Sequence, residues 1–320
     1  MATSGTVTYS VTESDIMADA LESIGYKDPD ETLSATDITT ARRKLNMIVK
    51  QWTSQLDFAP GLKMWTRRKA YLFLQDAQVV YSLGPSGDHA TETYVSTTLS
   101  TAEATSSTSL GLTSFTGMSA SDNIGIVLDD GTVHWTTISG APSGSTITLA
   151  SGIPTGETAS SGNYVFNYTT KAPRPDSLET VVLRDTDGND APVRVMNLQD
   201  YMALPSKANT TDSGDPSAVY YEPQLTNGVL YLDVAGVSDA SKKLHIVWME
   251  PIEDMTSAAD ELDMPQVWYL PTVLGLSKLI CPMFNAVWTQ EHEGNYAMAL
   301  AQAREAYPET STAYFQPGAE

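Results

Sequence analysis

Cysteine is nearly absent: the 320 residues hold one, Cys281. A disulfide framework and every cysteine-based zinc pattern need more, so both are excluded. Histidine is scarce as well. His89, His134, His245 and His292 stand far apart without metal-ligand spacing, and His292-Glu293 lacks the second histidine of a zinc-binding helix. Lysine and arginine number 18 against 39 aspartates and glutamates, a formal charge of −21. Non-specific adhesion to nucleic acid needs a cationic surplus that this chain lacks. No glycine-rich phosphate loop ending in Lys-Ser or Lys-Thr occurs, no Rossmann glycine triplet and no Gly-x-Ser-x-Gly elbow, which argues against nucleotide use and α/β-hydrolase chemistry. Met1 to Met17 carry neither a basic n-region nor an apolar core, so no signal peptide is expected and synthesis is expected to be cytosolic. The longest apolar stretch, Trp268 to Phe284, is interrupted by Pro271, Lys278 and Pro282. A bilayer span needs about 20 apolar residues in a row, so no membrane span is expected.

What is present is a foldable chain. Hydrophobic residues make up 41%, and 6 Trp, 15 Tyr and 6 Phe are too many for a disordered, self-repelling polymer. The length suits one large or two modest domains. Charge is unevenly spread: residues 1–69 hold nine basic and nine acidic side chains, residues 70–170 no Lys or Arg and eight acids, residues 171–320 nine basic and twenty-two acidic.

Helical signals occupy both ends. Thr12 with Asp15 reads as a capping box, Ile16, Ala20, Leu21 and Ile24 share a face, and Gly25 closes the helix. A second helix is expected from Ser34 or Thr36 to Leu56, its inner stripe being Ile38, Ala41, Leu45, Ile48, Val49, Trp52 and Leu56. Helical periodicity returns at Asp263, with Pro265 in a first turn and Pro271 and Pro282 expected to kink or divide the helix beyond it. A last helix, Gln290 to Ala306, sets Tyr296, Ala299, Leu300, Ala303 and Tyr307 on one face.

Between them the pattern is that of strands. Met64–Leu74 and Val79–Leu83 are rich in aromatic and β-branched residues, and Thr180–Arg184, Val193–Met196, Ala218–Glu222, Val229–Asp233 and Leu244–Trp248 continue the series, with a hairpin expected at Asn227-Gly228. Residues 91–170 differ: thirty-two of the eighty are Ser or Thr, and strands at 124–128, 132–137, 146–149 and 164–168 predict a small all-β module set into a loop. The expected fold class is therefore α+β, a helical domain from the N- and C-terminal helices and a central antiparallel β domain carrying that insert. The expected segments are 1–60, 61–90 with 171–260, 91–170, 261–307, and an arm at 308–320.

Candidate sites are few. On the outer face of the second helix Met47 sits between Arg43 and Lys50, either a solvated face or a stripe for contact with another subunit. Arg67 and Arg68 of a second basic triplet, and Tyr314-Phe315 in the arm, are further contact candidates. Glu253, Asp254, Asp260 and Glu261 form an acidic run ahead of Pro265; it can repel anions or complement a helix N-terminus. Asp185, Asp187 and Asp190 surround a glycine as a weak cation-binding candidate, although the same residues suit a solvated turn. No catalytic constellation, cofactor site or firm metal site is expected.

The order of short motifs resembles a known family. Ala41-Arg-Arg-Lys-Leu-Asn46 and Trp52, Tyr81-Ser-Leu-Gly-Pro85, Pro173-Arg-Pro175, Asp200-Tyr201, Gly214-Asp-Pro216, Tyr220-Tyr221, Leu230-Tyr-Leu232, Trp248-Met-Glu-Pro251, Pro265-Gln-Val-Trp268 and the closing Ala-rich helix are together similar to the head-to-tail adaptors of short-tailed bacteriophages, the tail tubular protein A and tail accessory factor families. The resemblance spans nearly the whole chain except 91–170. It implies a non-enzymatic virion protein of the tail, assembled in the bacterial cytoplasm as a homo-oligomeric, dodecameric ring between the portal protein and the tail nozzle. Double-stranded DNA would pass through without specific binding, along a wall to which the acidic run contributes, and the insert would face a tail fibre or neighbouring tail protein. An acidic conduit repels DNA, which agrees with the charge. Two rivals stand beside it: an all-β receptor-binding, decoration or carbohydrate-binding virion protein, and a carbohydrate-active enzyme built on paired carboxylates.

Overall fold

The computed structural model describes residues 5–28, 31–54, 60–142, 144, 146–205, 214–234 and 239–307, and its fold is mixed α+β. In chain order come α1 (Glu13–Ser23), α2 (Ala35–Thr53) and α3 (Pro60–Thr66), then β1 (Arg67–Phe73), β2 (Val80–Leu83), β3 (Ala90–Thr91), β4 (Val95–Thr98), β5 (Ser109–Gly111) and β6 (Asn123–Val127). Next are β7 (Val133–Thr137), β8 (Thr146–Thr148), β9 (Tyr164–Tyr168), β10 (Ser177–Arg184), β11 (Asp190–Met196), α4 (Leu198–Ala203), β12 (Ala218–Glu222), β13 (Gly228–Leu232) and β14 (Lys243–Met249). Helices α5 (Tyr269–Ile280) and α6 (Gln290–Glu305) close the series. Two compact units result, residues 1–67 with 251–320, and residues 68–250.

The first unit is helical, and its ends are set by local chemistry. The Thr12 hydroxyl accepts from the Asp15 amide while the Asp15 carboxylate accepts from the Thr12 amide at 3.0 Å, so two orphan donors of α1 are satisfied reciprocally. Ser34 accepts from the Asp37 amide at 3.2 Å and caps α2. Ile16, Ala20 and Leu21 of α1, Ala41, Leu45, Ile48 and Val49 of α2, and Leu276 and Ile280 of α5 share one core. Helix α5 packs against α1, α2 and α6. Its approach depends on Gly275, where a Cβ would run into the Ile48 side chain of α2. Pro271 falls in the first turn of α5, where helix amides lack intrahelical acceptors and a missing donor costs nothing. Pro282 lies just past the end of α5, in a 3₁₀ turn over Cys281–Phe284. The run Gln266–Phe284 is long and apolar enough by length and composition alone to cross a membrane, but Trp268, Leu276 and Ile280 in it belong to the core of this unit.

Two expectations are corrected in this unit. Residues 61–66, expected in the β domain with a strand from residue 64, belong to the helical unit as part of α3: Leu62 is fully buried in the helical core, and the Thr66 hydroxyl bonds back to the Leu62 carbonyl at 3.2 Å. The large apolar Met64 and Trp65 that suggested a strand are exposed. Residues 251–260, expected in the β domain, contribute Ile252 and Met255 to the helical core instead. Leu56 lies outside the described residues.

The second unit contains an eight-stranded sheet in the order β2-β13-β12-β11-β10-β14-β1-β3. The expectation of an antiparallel sheet is corrected at its centre, where β11 and β12 pair in parallel, Val195 opposite Val219. A parallel pair needs a crossover, and residues 197–217, with α4 among them, supply its length. The hairpin near Asn227 has a longer loop than a two-residue turn, because Glu222 pairs with Val229 and residues 223–227 connect the strands. Asn227 instead ties the loop to the Gly84–Ser86 turn, its amide donating to the Ser86 hydroxyl at 2.9 Å.

Residues 91–170 carry a four-stranded sheet, β4-β9-β6-β7, and the pair β5-β8. Leu99, Leu110, Ile124, Ile126, Leu149 and Val165 form a core of their own. The joint to the larger sheet is aromatic. Phe73 of β1 lies 4.9 Å from Phe166 and 5.1 Å from Trp135, centroid to centroid. The Gln75 amide clasps both backbone groups of Val133, at 3.0 and 3.1 Å. Where the segment leaves and rejoins the larger sheet, the Ala172 amide donates to the Ala90 carbonyl at 2.8 Å, so its two ends meet.

Candidate interaction surfaces

The outer face of α2 is only partly open. Arg43 is exposed and Met47 is 53% exposed. Lys50 is turned into its own unit: the ammonium donates to the Ile252 carbonyl and pairs with Asp254 at 2.9 Å. The expected triplet thus reduces to Arg43 and Met47. Arg42, one residue earlier, reaches the wholly buried carboxylate of Glu13 at 2.7 Å, and this bond pushes the guanidinium pKa up. Arg68 pairs with Glu250 at 3.1 Å, and Arg67 opens β1. Tyr314 and Phe315 lie outside the described residues.

The acidic run is largely spent on shaping its own loop. Asp254 faces Lys50, and Asp260 accepts from the Thr256 amide at 2.7 Å and the Ser257 amide at 2.8 Å, which holds its carboxyl below the ordinary range. Glu261 accepts from the Ser10 hydroxyl at 2.9 Å. Glu253 is exposed. Asp263 accepts from the Trp65 indole at 2.8 Å, a bond that a purely helix-terminal role for this run would not include.

The Asp185–Asp190 turn does not converge on a cation. Asp185 accepts from the amides of Asp187 and Asn189, at 2.9 and 2.8 Å, and its bonds to Asn189 and the turn amides lower its pKa. Asp190 holds Arg184 through two bonds of 2.7 Å. The carboxylates of Asp185 and Asp190 serve folding, and among the described residues no group of three or more His, Cys, Asp or Glu side chains is poised to hold a metal.

A half-buried and a buried titratable group sit at the aromatic joint. His89 stacks on Trp135 at 3.8 Å and its Nδ1 lies 2.7 Å from the Tyr168 hydroxyl. Burial, with Lys171 adding to it, depresses the His89 pKa to about 4, so the ring is neutral at pH 7 and shares one hydrogen bond with the phenol. Lys243 is 3% exposed, its ammonium 4.5 Å from the Phe166 ring centre and bonded to the Ser241 carbonyl at 3.0 Å, and burial lowers its pKa to about 8. Sequence spacing could not have paired these residues, since His89 and Tyr168 are far apart in the chain.

Among the described residues, exposed large apolar side chains are concentrated on the helical unit. Thirteen of nineteen belong to it, including Val7, Tyr9, Met47, Leu270, Met283, Val287 and Met298. This unit also holds an open groove of about 590 Å³ walled by Tyr9, Met64, Trp65, Met264, Tyr269 and Tyr307. None of the groove residues stood out as a site in the sequence, and Tyr307, expected to share one face with Tyr296, Ala299, Leu300 and Ala303 of the last helix, lies beyond its end and is 57% exposed. No family model matches the chain, and no curated protein matches it.

Proposed function

We propose that this chain is a structural virion protein, a head-to-tail adaptor that assembles as a ring between portal and tail nozzle. One observation carries the proposal: exposed apolar side chains are concentrated on the helical unit of a strongly acidic chain, with Tyr9, Met64, Trp65 and Tyr307 gathered at one groove, and such patches mark protein contacts rather than solvent-facing surface. In this reading the terminal helices are the docking domain, with Arg43 and Met47 contributing from α2, the sheet unit faces the tail, and the inserted module reaches a tail fibre or neighbouring tail protein. The charge of −21 suits a channel through which DNA must slide without being held. Light scattering and negative-stain imaging of the purified chain, alone and with a portal ring, test the assignment. A ring, or ring formation upon the portal, is the expected result; a monomer that ignores the portal at micromolar concentration would sink it.

A further inference from the structure

The groove on the helical unit is apolar in a specific way: the amide of Gln266 and the indole N–H of Trp65, two donors in its lining, are already in use. The Gln266 amide donates to the Val7 and Tyr9 carbonyls at 3.1 and 2.7 Å, and the Trp65 indole donates to Asp263. An apolar occupant would therefore leave these donors paired and escape the usual penalty for covering such a wall. Tyr307 itself forms part of the wall, in a left-handed conformation with φ of 54°, so the chain sets out for residue 308 from the groove.

Residues 308–313, next in the chain, are Pro-Glu-Thr-Ser-Thr-Ala and contain nothing large and apolar; Tyr314-Phe315 comes after them. We propose that the groove is the seat of this same chain's 308–320 segment, with Tyr314 and Phe315 as the occupants of the wall formed by Met64, Trp65 and Tyr269. The residues between Tyr307 and Tyr314 reach about 24 Å when extended, enough to leave the wall and return. Closing so short a loop costs little. Tethering gives the pair an effective concentration in the millimolar range, which a second copy does not match at ordinary protein concentrations. Flat aromatic rings are the side chains that gain most from such walls, by stacking or edge contact. The groove and its tether carry this proposal independently of the ring assembly.

Disulfide trapping in the full chain tests it. The only native cysteine, Cys281, is buried, so the pair Met64→Cys with Phe315→Cys reports alone under mild oxidation. The expected result is a reducible, monomer-sized species of altered mobility that neither single variant forms. In parallel, Tyr314→Ala with Phe315→Ala should raise acrylamide quenching of tryptophan, and the rise should vanish in a Trp65→Phe background. A ladder of disulfide-linked multimers would hand the groove to a neighbouring copy and overturn the proposal, and so would failure of the trapped species to form together with unchanged quenching.

Discussion

His89 shows how one side chain couples the two sheets of the β unit to pH. In the folded chain its pKa is about 4 against an ordinary 6.5, because the ring is buried against Trp135 and beside Tyr168. Between these values the unfolded chain binds a proton that the folded chain refuses, so stability is full above pH 6.5 and is lost as pH falls toward 4. The ring keeps some solvent contact, so the loss is about 1–2 kcal/mol rather than the full linkage value. Urea unfolding from pH 4 to 7 should show this slope, and His89→Phe should flatten it. Gly125 is the complementary case on β6. A Cβ there would meet the Trp135 ring at 2.7 Å, so Gly125→Ala should cost about 1–3 kcal/mol and shift Trp135 emission as the indole is pushed off His89.

At the scale of elements, the capping of α1 and the joint of the insert make separable predictions. Thr12→Ala removes the side-chain half of the capping box and should lower stability by about 1 kcal/mol, read as a reduced melting temperature without change in the folded spectrum. The insert has its own core, and its ends meet at Ala90 and Ala172, so joining them shortens the edge strand β3 but should leave the other seven strands of the sheet, β2-β13-β12-β11-β10-β14-β1, intact. The deletion also uncovers Phe73, which is 1% exposed in the whole chain. The shortened protein should therefore be only weakly soluble, and Phe73→Ser should restore solubility. Unfolding of the shortened Phe73→Ser protein, seen by circular dichroism, would show that the two sheets fold as one.

For the whole molecule, the proposed ring makes assembly the measurable property. Met47→Glu places a charge on an exposed methionine without touching the core, so the isolated chain should keep its melting temperature while its assembly midpoint rises about tenfold or more, a cost of about 1.4 kcal/mol per contact. Glu253 is the acid best suited to test the conduit, because Asp254 and Asp260 are occupied in ion pairing and loop hydrogen bonds. Glu253→Lys repeated around a ring should retard DNA passage at low salt and much less at high salt. Equal retardation at both would remove the electrostatic account.

Much of the local architecture was legible in the chain. Caps at Thr12 and Ser34, the inner stripe of α2, and the strands at 164–168 and 218–222 follow from periodicity and from hydrogen bonds between residues three apart, which depend on near neighbours alone. Short apolar runs were ambiguous, and at residues 64–66 burial of Leu62 in a core drawn from both ends of the chain decided for helix. The parallel β11–β12 pair, the Lys50–Asp254 and Arg42–Glu13 bonds, the joint between His89 and Tyr168, and the groove beside Trp65 all join residues separated in sequence. No pattern of spacing encodes such pairs. They exist only once packing has decided which surfaces are covered, and with that decision the apolar Met47 was left outside and the charged Lys50 drawn in.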